Sequence, residues 1–133
     1  MTTKRKLDSW ISAVEVDCSD PVHEQEMNDW YDNVHIPDCL ASPGYVSVLR
    51  YEIGTPKEGR GKYLTLYEIH CDDIDRCIQI RNERRERERA IGSYDGGGKY
   101  AVGVGSSRYQ RIRPVFTKEN TPPAPFAHRA NPA

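Results

Sequence analysis

Apolar positions recur every three to four residues in one early segment, at the i, i+3, i+4, i+7 spacing of a buried helix face. The residues that follow this spacing are Met27, Trp30, Tyr31 and Val34. The pattern predicts a helix from Pro21 to about His35, for which Asp20 is a suitable N-cap. Pro37 disfavours helical backbone angles at Ile36, so we expect His35 in the last turn.

Other segments have the alternating pattern and the β-branched and aromatic residues of strands. We predict strands at Ser9–Asp17, Tyr45–Ile53 and Lys62–Ile69 and within Ser106–Val115. A second helix is expected from an N-cap at Asp72 or Asp73 to about Ala90. The order βαββαβ predicts an α+β, ferredoxin-like fold, in which a four-stranded antiparallel sheet carries two helices on one face.

Composition and charge narrow the class of protein. At 133 residues, with 37% apolar and 29% charged residues, the chain fits one globular domain. We expect an N-terminal extension at 1–8, the domain at 9–116 and a Pro-rich tail at 117–133. A net charge of −1 gives no electrostatic case for nucleic acid. No apolar run approaches the roughly 20 residues of a membrane span, and no secretory signal is evident, so we expect a cytoplasmic protein.

The alternation along the strands also divides their side chains into two faces, and neither is polar enough to face water. One predicted face holds Trp10, Ser12, Val14, Tyr45, Ser47, Leu49, Tyr51, Tyr63, Thr65 and Tyr67. The other holds Ile11, Ala13, Val46, Val48, Leu64 and Leu66, with Glu15, Arg50, Glu68 and His70 towards the strand ends. Because large exposed apolar patches usually mark interfaces, we expect a homodimer through the aliphatic face.

One segment, Asn28–Tyr51, has a distinctive order of residues: Trp30-Tyr31, His35, Pro37 and the turn Pro43-Gly44-Tyr45. With it, the chain resembles the EthD-like group of the dimeric α+β barrel superfamily, over about Ser9 to Pro114. That superfamily includes cofactor-free polyketide cyclases, lactone isomerases, decarboxylases, phenol monooxygenases and haem-binding members. The resemblance implies a pocket between helices and sheet, walled by the tyrosine-rich face, with the aliphatic face as the dimer seam.

Within this arrangement, His35 is the candidate acid/base, because carbonyls at a helix C-terminus would favour its imidazolium form. Tyr31 and Tyr67 are the candidate hydroxyl partners in catalysis. The candidate substrate-binding residues are Trp10, Ser12, Trp30, Tyr63, Thr65 and Arg81. The alternative is structural: His35 caps the helix and the aromatic residues pack in the core.

Two further segments invite a functional interpretation but favour a structural one. The run Arg81–Arg89 pairs opposite charges at i, i+4 in Glu83–Arg87 and Arg84–Glu88, as on a solvated helix face. A single arginine of this run, such as Arg81 or Arg85, remains a candidate for a substrate carboxylate. The glycines at 96–98 lack the context of a phosphate-binding motif and predict a mobile loop. No metal-ligand spacing is present, and the four cysteines are expected to be reduced.

These residues indicate a cofactor-independent enzyme of lyase, cyclase, decarboxylase or isomerase type, which uses His35 for proton transfer on a small aromatic or polyketide-like metabolite. One alternative is a non-catalytic small-molecule-binding protein, or an accessory protein to an oxygenase. Another is a monooxygenase or a haem-binding protein with His35 or His70 as axial ligand. We expect no cofactor and no metal.

Overall fold

The computed structural model describes residues 8–126, so the predictions for 1–7 and 127–133 lie outside the described residues. Four strands form one antiparallel sheet in the order β2-β3-β1-β4. They are β1 (Ser9–Cys18), β2 (Tyr45–Glu52), β3 (Tyr63–His70) and β4 (Ala101–Gln110). Two helical segments lie between β1 and β2 and between β3 and β4. The predicted α+β, ferredoxin-like arrangement is confirmed.

The first helical segment is longer than predicted. It consists of a 3-10 turn (Pro21–His23), helix α1 (Glu24–Trp30), a π-helical turn (Tyr31–His35) and helix α2 (Ile36–Leu40). Its buried stripe of Met27, Trp30 and Tyr31 is as predicted.

The prediction that this helix ends at His35 was wrong. Ile36 is helical, with φ −63° and ψ −47°, and its N–H donates to the Tyr31 carbonyl five residues back. Pro37 lies in the first turn of α2, where a missing N–H is tolerated. The π turn before it is wider than an α-helical turn, so the backbone hydrogen bonds of α2 resume in a shifted register. Such turns are frequent at functional sites. His35 therefore lies inside a continuous helical segment.

The second helix, α3, spans Ile74–Ala90, close to its prediction. The side chain of Asp73 accepts a hydrogen bond from the backbone N–H of Arg76, which is the expected N-cap. Ile74, Cys77 and Arg81 are buried on its inner side. Two apolar clusters, one around Met27 and Trp30 and one around Tyr67 and Ile69, form the core between helices and sheet.

A β-bulge changes the predicted faces of β2. The register against β3 shifts between Tyr45 and Ser47, so that Val46 is an extra residue without a partner. Because side chains alternate, this insertion exchanges the faces of all the residues that follow it. Val48 and Arg50 lie opposite Tyr67 and Thr65 on the helix-covered face. The outer face receives Ser47, Leu49 and Tyr51 instead.

Strand β4 begins earlier than predicted, because glycines at 103 and 105 are part of it. Among the described strands it pairs only with β1, and a register shift in that pairing lies between Glu15 and Val16. An edge strand with a bulge tolerates glycine. The preceding glycines were predicted to be a mobile loop. Instead Gly97 and Gly98 are buried, and a Cβ at either position would collide with α1, at the Glu26 carbonyl or the Trp30 indole. They allow close packing.

Residues that follow β4, from 111 to 126, are exposed. No helix of the described residues covers the outer face of the sheet, and Leu49 and Tyr51 on this face are 54% and 49% exposed. Within residues 8–126, no helix has the length and apolar character needed to cross a membrane.

Candidate active site

A cavity of about 430 Å³ lies between the sheet and the helices. Strands β1 and β4 contribute small side chains and one arginine to its wall: Ser12, Val14, Val16, Ala101, Gly103, Ser106 and Arg108. The helices and β3 contribute the chemically active groups, which include His35 and Tyr67. The volume is in the range of pockets that bind small organic molecules.

His35 is held from several sides. Its Nε2 lies 3.0 Å from the Tyr67 hydroxyl oxygen, in a hydrogen bond whose donor depends on the imidazole tautomer. The same nitrogen lies 3.6 Å from the Sγ of Cys39, one turn further along the helix. The indole of Trp30 stacks on the imidazole at 4.9 Å between ring centroids, and Tyr31 meets it edge-on at 5.1 Å. The ring is therefore fixed in orientation.

The environment of His35 keeps it neutral. Burial, together with the nearby positive charges of Arg81, Arg85 and Arg50, lowers the pKa of this imidazole from 6.5 to about 3, and burial is the main cause. The prediction that a helix C-terminus would favour the imidazolium was wrong, because His35 does not lie at the end of the helical segment. At neutral pH the residue has a free lone pair and can accept a proton.

The hydroxyl and thiol groups around His35 keep their protons. Burial raises the pKa of Tyr31 to about 12 and that of Cys39 to about 11, and it raises the pKa of Tyr67 well above its usual value. These groups therefore act as neutral hydrogen-bond donors or acceptors. The Cys39 thiol therefore remains protonated at neutral pH and is a poor nucleophile.

Helix α3 provides a positively charged wall. Arg81, Arg85 and Arg89 follow one another at i, i+4 spacing, and all three line the cavity. The guanidinium of Arg81 is almost fully buried and donates to Glu88 at 3.1 Å and to the Ser42 hydroxyl at 3.3 Å. Arg89 lies over the ring of Tyr94, with Cζ 4.1 Å from the centroid.

Arg50 is a further cation on the inner face of β2. It lies over the ring of Tyr31, with Cζ 4.0 Å from the centroid, and donates to the side-chain amide oxygen Oδ1 of Asn28 at 2.9 Å. Glu15, which was expected on the same sheet face as Arg50, pairs instead with Arg60 at 2.8 Å. Because the β-bulge turns Arg50 inward, its charge acts on His35 from behind Tyr31.

Comparison with known proteins extends the assignment of fold. No protein-family model matches the chain, and no curated protein matches it in sequence. The structure is similar to the crystal structure of HapK from Hahella chejuensis. The TM-score is 0.62, with 12% sequence identity, over 81% of this chain and 97% of that chain. At this identity the similarity concerns the fold alone.

Six of the nine predicted site residues line the cavity: His35, Tyr31, Tyr67, Ser12, Trp30 and Arg81. The structure does not place the other three on its wall. Tyr63 packs in the core, where its hydroxyl accepts a hydrogen bond from Asn28 at 3.2 Å. Thr65 is fully buried in the sheet, and Trp10 packs against the cluster around Tyr67. His70 lies at the outer face and pairs with Glu68 at 2.7 Å.

Arg85, named with Arg81 as a candidate for a substrate carboxylate, also lines the cavity, whereas Arg89 and Tyr94 were missed by the sequence interpretation. The signal for Arg89 was present, since it continues the i, i+4 line from Arg81 and Arg85 on the inner side of α3. The opposite charges at i, i+4 favoured a solvated helix face instead. The predicted Arg84–Glu88 pair does form, at 2.9 Å. Among residues 8–126, no cluster of three or more potential metal ligands occurs.

Proposed function

We propose that this chain is a cofactor-independent enzyme that transfers a proton on a small aromatic or polyketide-like metabolite, in a reaction of lyase, cyclase, decarboxylase or isomerase type. The observation that carries the proposal is the 3.0 Å contact between His35 Nε2 and the Tyr67 hydroxyl in the cavity wall. A base and a hydroxyl in hydrogen-bond contact, beside space for a ligand, are the elements of general acid–base catalysis.

The proton transfer uses both groups. The substrate loses a proton to the Tyr67 oxygen while the Tyr67 proton passes to Nε2 of His35. The phenol is thus regenerated, the imidazole becomes an imidazolium, and the substrate becomes an enolate or phenolate. Return of the proton to another atom of the substrate completes an isomerisation or cyclisation. The neutral imidazole is the form that this step needs, and burial maintains it.

The charged wall supports the same step. A developing oxyanion in the cavity would lie near Arg81 and Arg85, and the guanidinium of Arg81 is held in place by Glu88 and Ser42. Pre-oriented positive charge in a partly buried site stabilises such an anion more than water would. The same arginines oppose the imidazolium of His35, and the oxyanion formed in the step lies beside both kinds of cation and offsets that repulsion.

The assembly that we propose is a homodimer in the cytoplasm, formed through the outer sheet face as in the dimeric α+β barrel proteins that the sequence resembles. The outer face supports this assembly with a continuous apolar surface of Ile11, Ala13, Leu49, Tyr51, Leu64 and Leu66. A contiguous apolar surface of this kind is typical of an interface.

The test is hydrogen–deuterium exchange of small aryl ketones in D₂O, followed by ¹H NMR, because exchange reports proton abstraction without knowledge of the natural product. Phenylacetone, with its acidic benzylic protons, is the first probe. We expect the unmodified protein to accelerate exchange above the rate in buffer alone, and His35→Ala to leave it at the buffer rate. Circular dichroism and size-exclusion chromatography check that the variant is folded. Equal exchange rates for the two proteins would contradict the proposal.

A second candidate function is non-catalytic binding of the same class of molecule, or service to a partner oxygenase. The observation in its favour is the pKa of His35, about 3, which makes the residue a weak base. A ligand that binds with unchanged affinity to His35→Ala, without proton exchange in either protein, would support this function over the first.

A further inference from the structure

We propose that the arginine wall of α3, formed by Arg81, Arg85 and Arg89, binds a carboxylate of the ligand, so that the substrate is an aromatic carboxylic acid. This inference rests on the proposed function and names the substrate class of that site. Trp30, Tyr31 and Tyr94 would contact the aromatic ring.

The cavity wall carries a surplus of positive charge. Arg81, Arg85, Arg89 and Arg108 line the cavity, and no carboxylate of the described chain lines it. The protein as a whole has a net charge of −1, so this surplus is local. Positive charge concentrated in a cleft with apolar walls attracts anionic ligands.

The acidic residues near this wall neutralise only part of its charge. Asp75 pairs with Arg108 at 2.7 Å. Glu88 is shared between Arg81 and Arg84, at 3.1 and 2.9 Å. Glu86 is an exposed residue and lies 3.8 Å from the Nε of Arg85 and 3.9 Å from that of Arg89. Exposed pairs at such distances are weak and leave the guanidinium groups available.

Two arginines of the wall have hydrogen-bond donors that lack an acceptor among the described residues. Within the described chain, Nη2 of Arg81 and Nε of Arg85 are buried and have no hydrogen-bond acceptor. Buried polar groups without partners are rare, and they require an explanation. A carboxylate has two oxygens that accept in the geometry of a guanidinium fork, and it matches arginine as a bidentate partner.

Aromatic side chains lie beside the arginines of the wall. Tyr94 lies between the two groups of residues: its ring is 4.7 Å from Trp30 and carries the guanidinium of Arg89 on its face. A ligand with its ring near Trp30 would therefore have a substituent within reach of α3. Aromatic walls with a few polar groups at one end are typical of pockets for planar acids.

A bound carboxylate would also act on His35. This imidazole faces Tyr67 of β3, Arg50 of β2, Arg81 and Arg85 of α3, and Trp30, Tyr31, Cys39 and Tyr94. The three arginines lower its pKa, and an anion beside Arg81 and Arg85 would offset two of them. Binding of an acid therefore raises the basicity of the residue that accepts the proton.

The experiment compares 1-naphthoate with 1-naphthamide, two probes of the same ring and nearly the same size that differ in charge. Binding to the full chain is measured by isothermal titration calorimetry. We expect the acid to bind roughly ten-fold or more tightly than the amide, as for a charged hydrogen bond in place of a neutral one. Arg85→Gln should weaken binding of the acid by at least that factor and leave the amide unchanged. Arg87→Gln, at an exposed position of α3 outside the cavity, is the matched control.

Equal affinities for acid and amide, equal effects of the two arginine variants, or no binding of the acid at millimolar concentration would each overturn the inference. As a second measurement, saturation with naphthoate should raise the pKa of His35 observed by NMR, and naphthamide should not. The outcome is separable from the proposed function, because exchange of the neutral probe phenylacetone tests proton transfer without a carboxylate. Acid binding through Arg85 without any exchange would leave the substrate class standing and remove the enzymatic role.

Discussion

Substitution of His35 by glutamine should make the protein less sensitive to acid. The pKa of this imidazole is 6.5 when free and about 3 in the folded chain, so the unfolded state binds the proton more tightly. Folding stability therefore falls as the pH drops below 6.5, and it continues to fall down to about pH 3. Above pH 7 this residue contributes no pH dependence.

The size of the effect follows from linkage. One pKa unit corresponds to about 1.4 kcal/mol, and two units of pH separate 6.5 from 4.5. His35 should therefore cost about 2–3 kcal/mol of unfolding free energy between pH 7.5 and pH 4.5. The lower figure applies if water reaches the ring through the cavity. This is a large fraction of the 5–15 kcal/mol typical of a domain.

The assay is urea unfolding at pH 7.5, 6.5, 5.5 and 4.5 at one protein concentration, followed by tryptophan fluorescence. Carboxylates such as Glu15 and Glu24, whose pKa values are lowered by partners, also contribute to acid sensitivity. Their contribution is common to both proteins and cancels in the difference. We expect His35→Gln to lose about 2–3 kcal/mol less than the unmodified protein over this range. The same loss in both would show that the folded protein accepts a proton on His35 readily, and the burial argument would be refuted.

Three further predictions concern other parts of the fold. Tyr67→Phe should slow hydrogen–deuterium exchange of phenylacetone by about 10²- to 10⁴-fold, as expected for loss of a proton-transfer group. It should change the unfolding free energy by only about 1 kcal/mol. An unchanged exchange rate would show that Tyr67 does not take part in the proton transfer. Gly97→Ala should destabilise the folded protein by about 2–3 kcal/mol in urea unfolding, because its Cβ would overlap the backbone of α1. Gly96→Ala has open space around it and should be nearly neutral. Similar unfolding midpoints for the two variants would contradict the packing argument. Leu49→Glu on the outer sheet face should convert a dimer into a monomer in light scattering, and Ile91→Glu on the helix side should not; a monomeric unmodified protein would exclude the dimer.

The elements that the sequence predicts well are those whose signal is local and repeated. The spacing of Met27, Trp30 and Tyr31 requires only that one helix face be buried, and that face is buried. Asp73 caps α3 as predicted, because capping depends on a side chain and a backbone N–H three residues later. The strands were placed within a few residues for β1, β2 and β3, since alternation and turn residues mark their ends.

The errors have a common origin in one-residue irregularities. Val46 and Val48 are both apolar, so the strand pattern gives no sign that an extra residue exchanges the faces between them. Pro37 has a real local preference against helix before it, and only the tertiary contacts of α2 outweigh that preference. The charge state of His35 depends on burial and on arginines from two other elements, which no spacing along the chain encodes. The α3 arginines were visible as a periodic line but resembled a solvated face.

The π-helical turn makes the chemistry of this cavity depend on the number of residues in one helix. In a regular α-helix, residues eight apart are rotated by about 80° from each other. The wider turn takes one more residue, which offsets this drift and lets Tyr31, His35 and Cys39 all face the same space. Loss of one exposed residue there, Asp32 or Asn33, would restore a regular helix and turn a different side chain to the ligand. A deletion of one residue, rather than a substitution, is then the mutation that would turn the proposed base away from the cavity while the sheet stays intact.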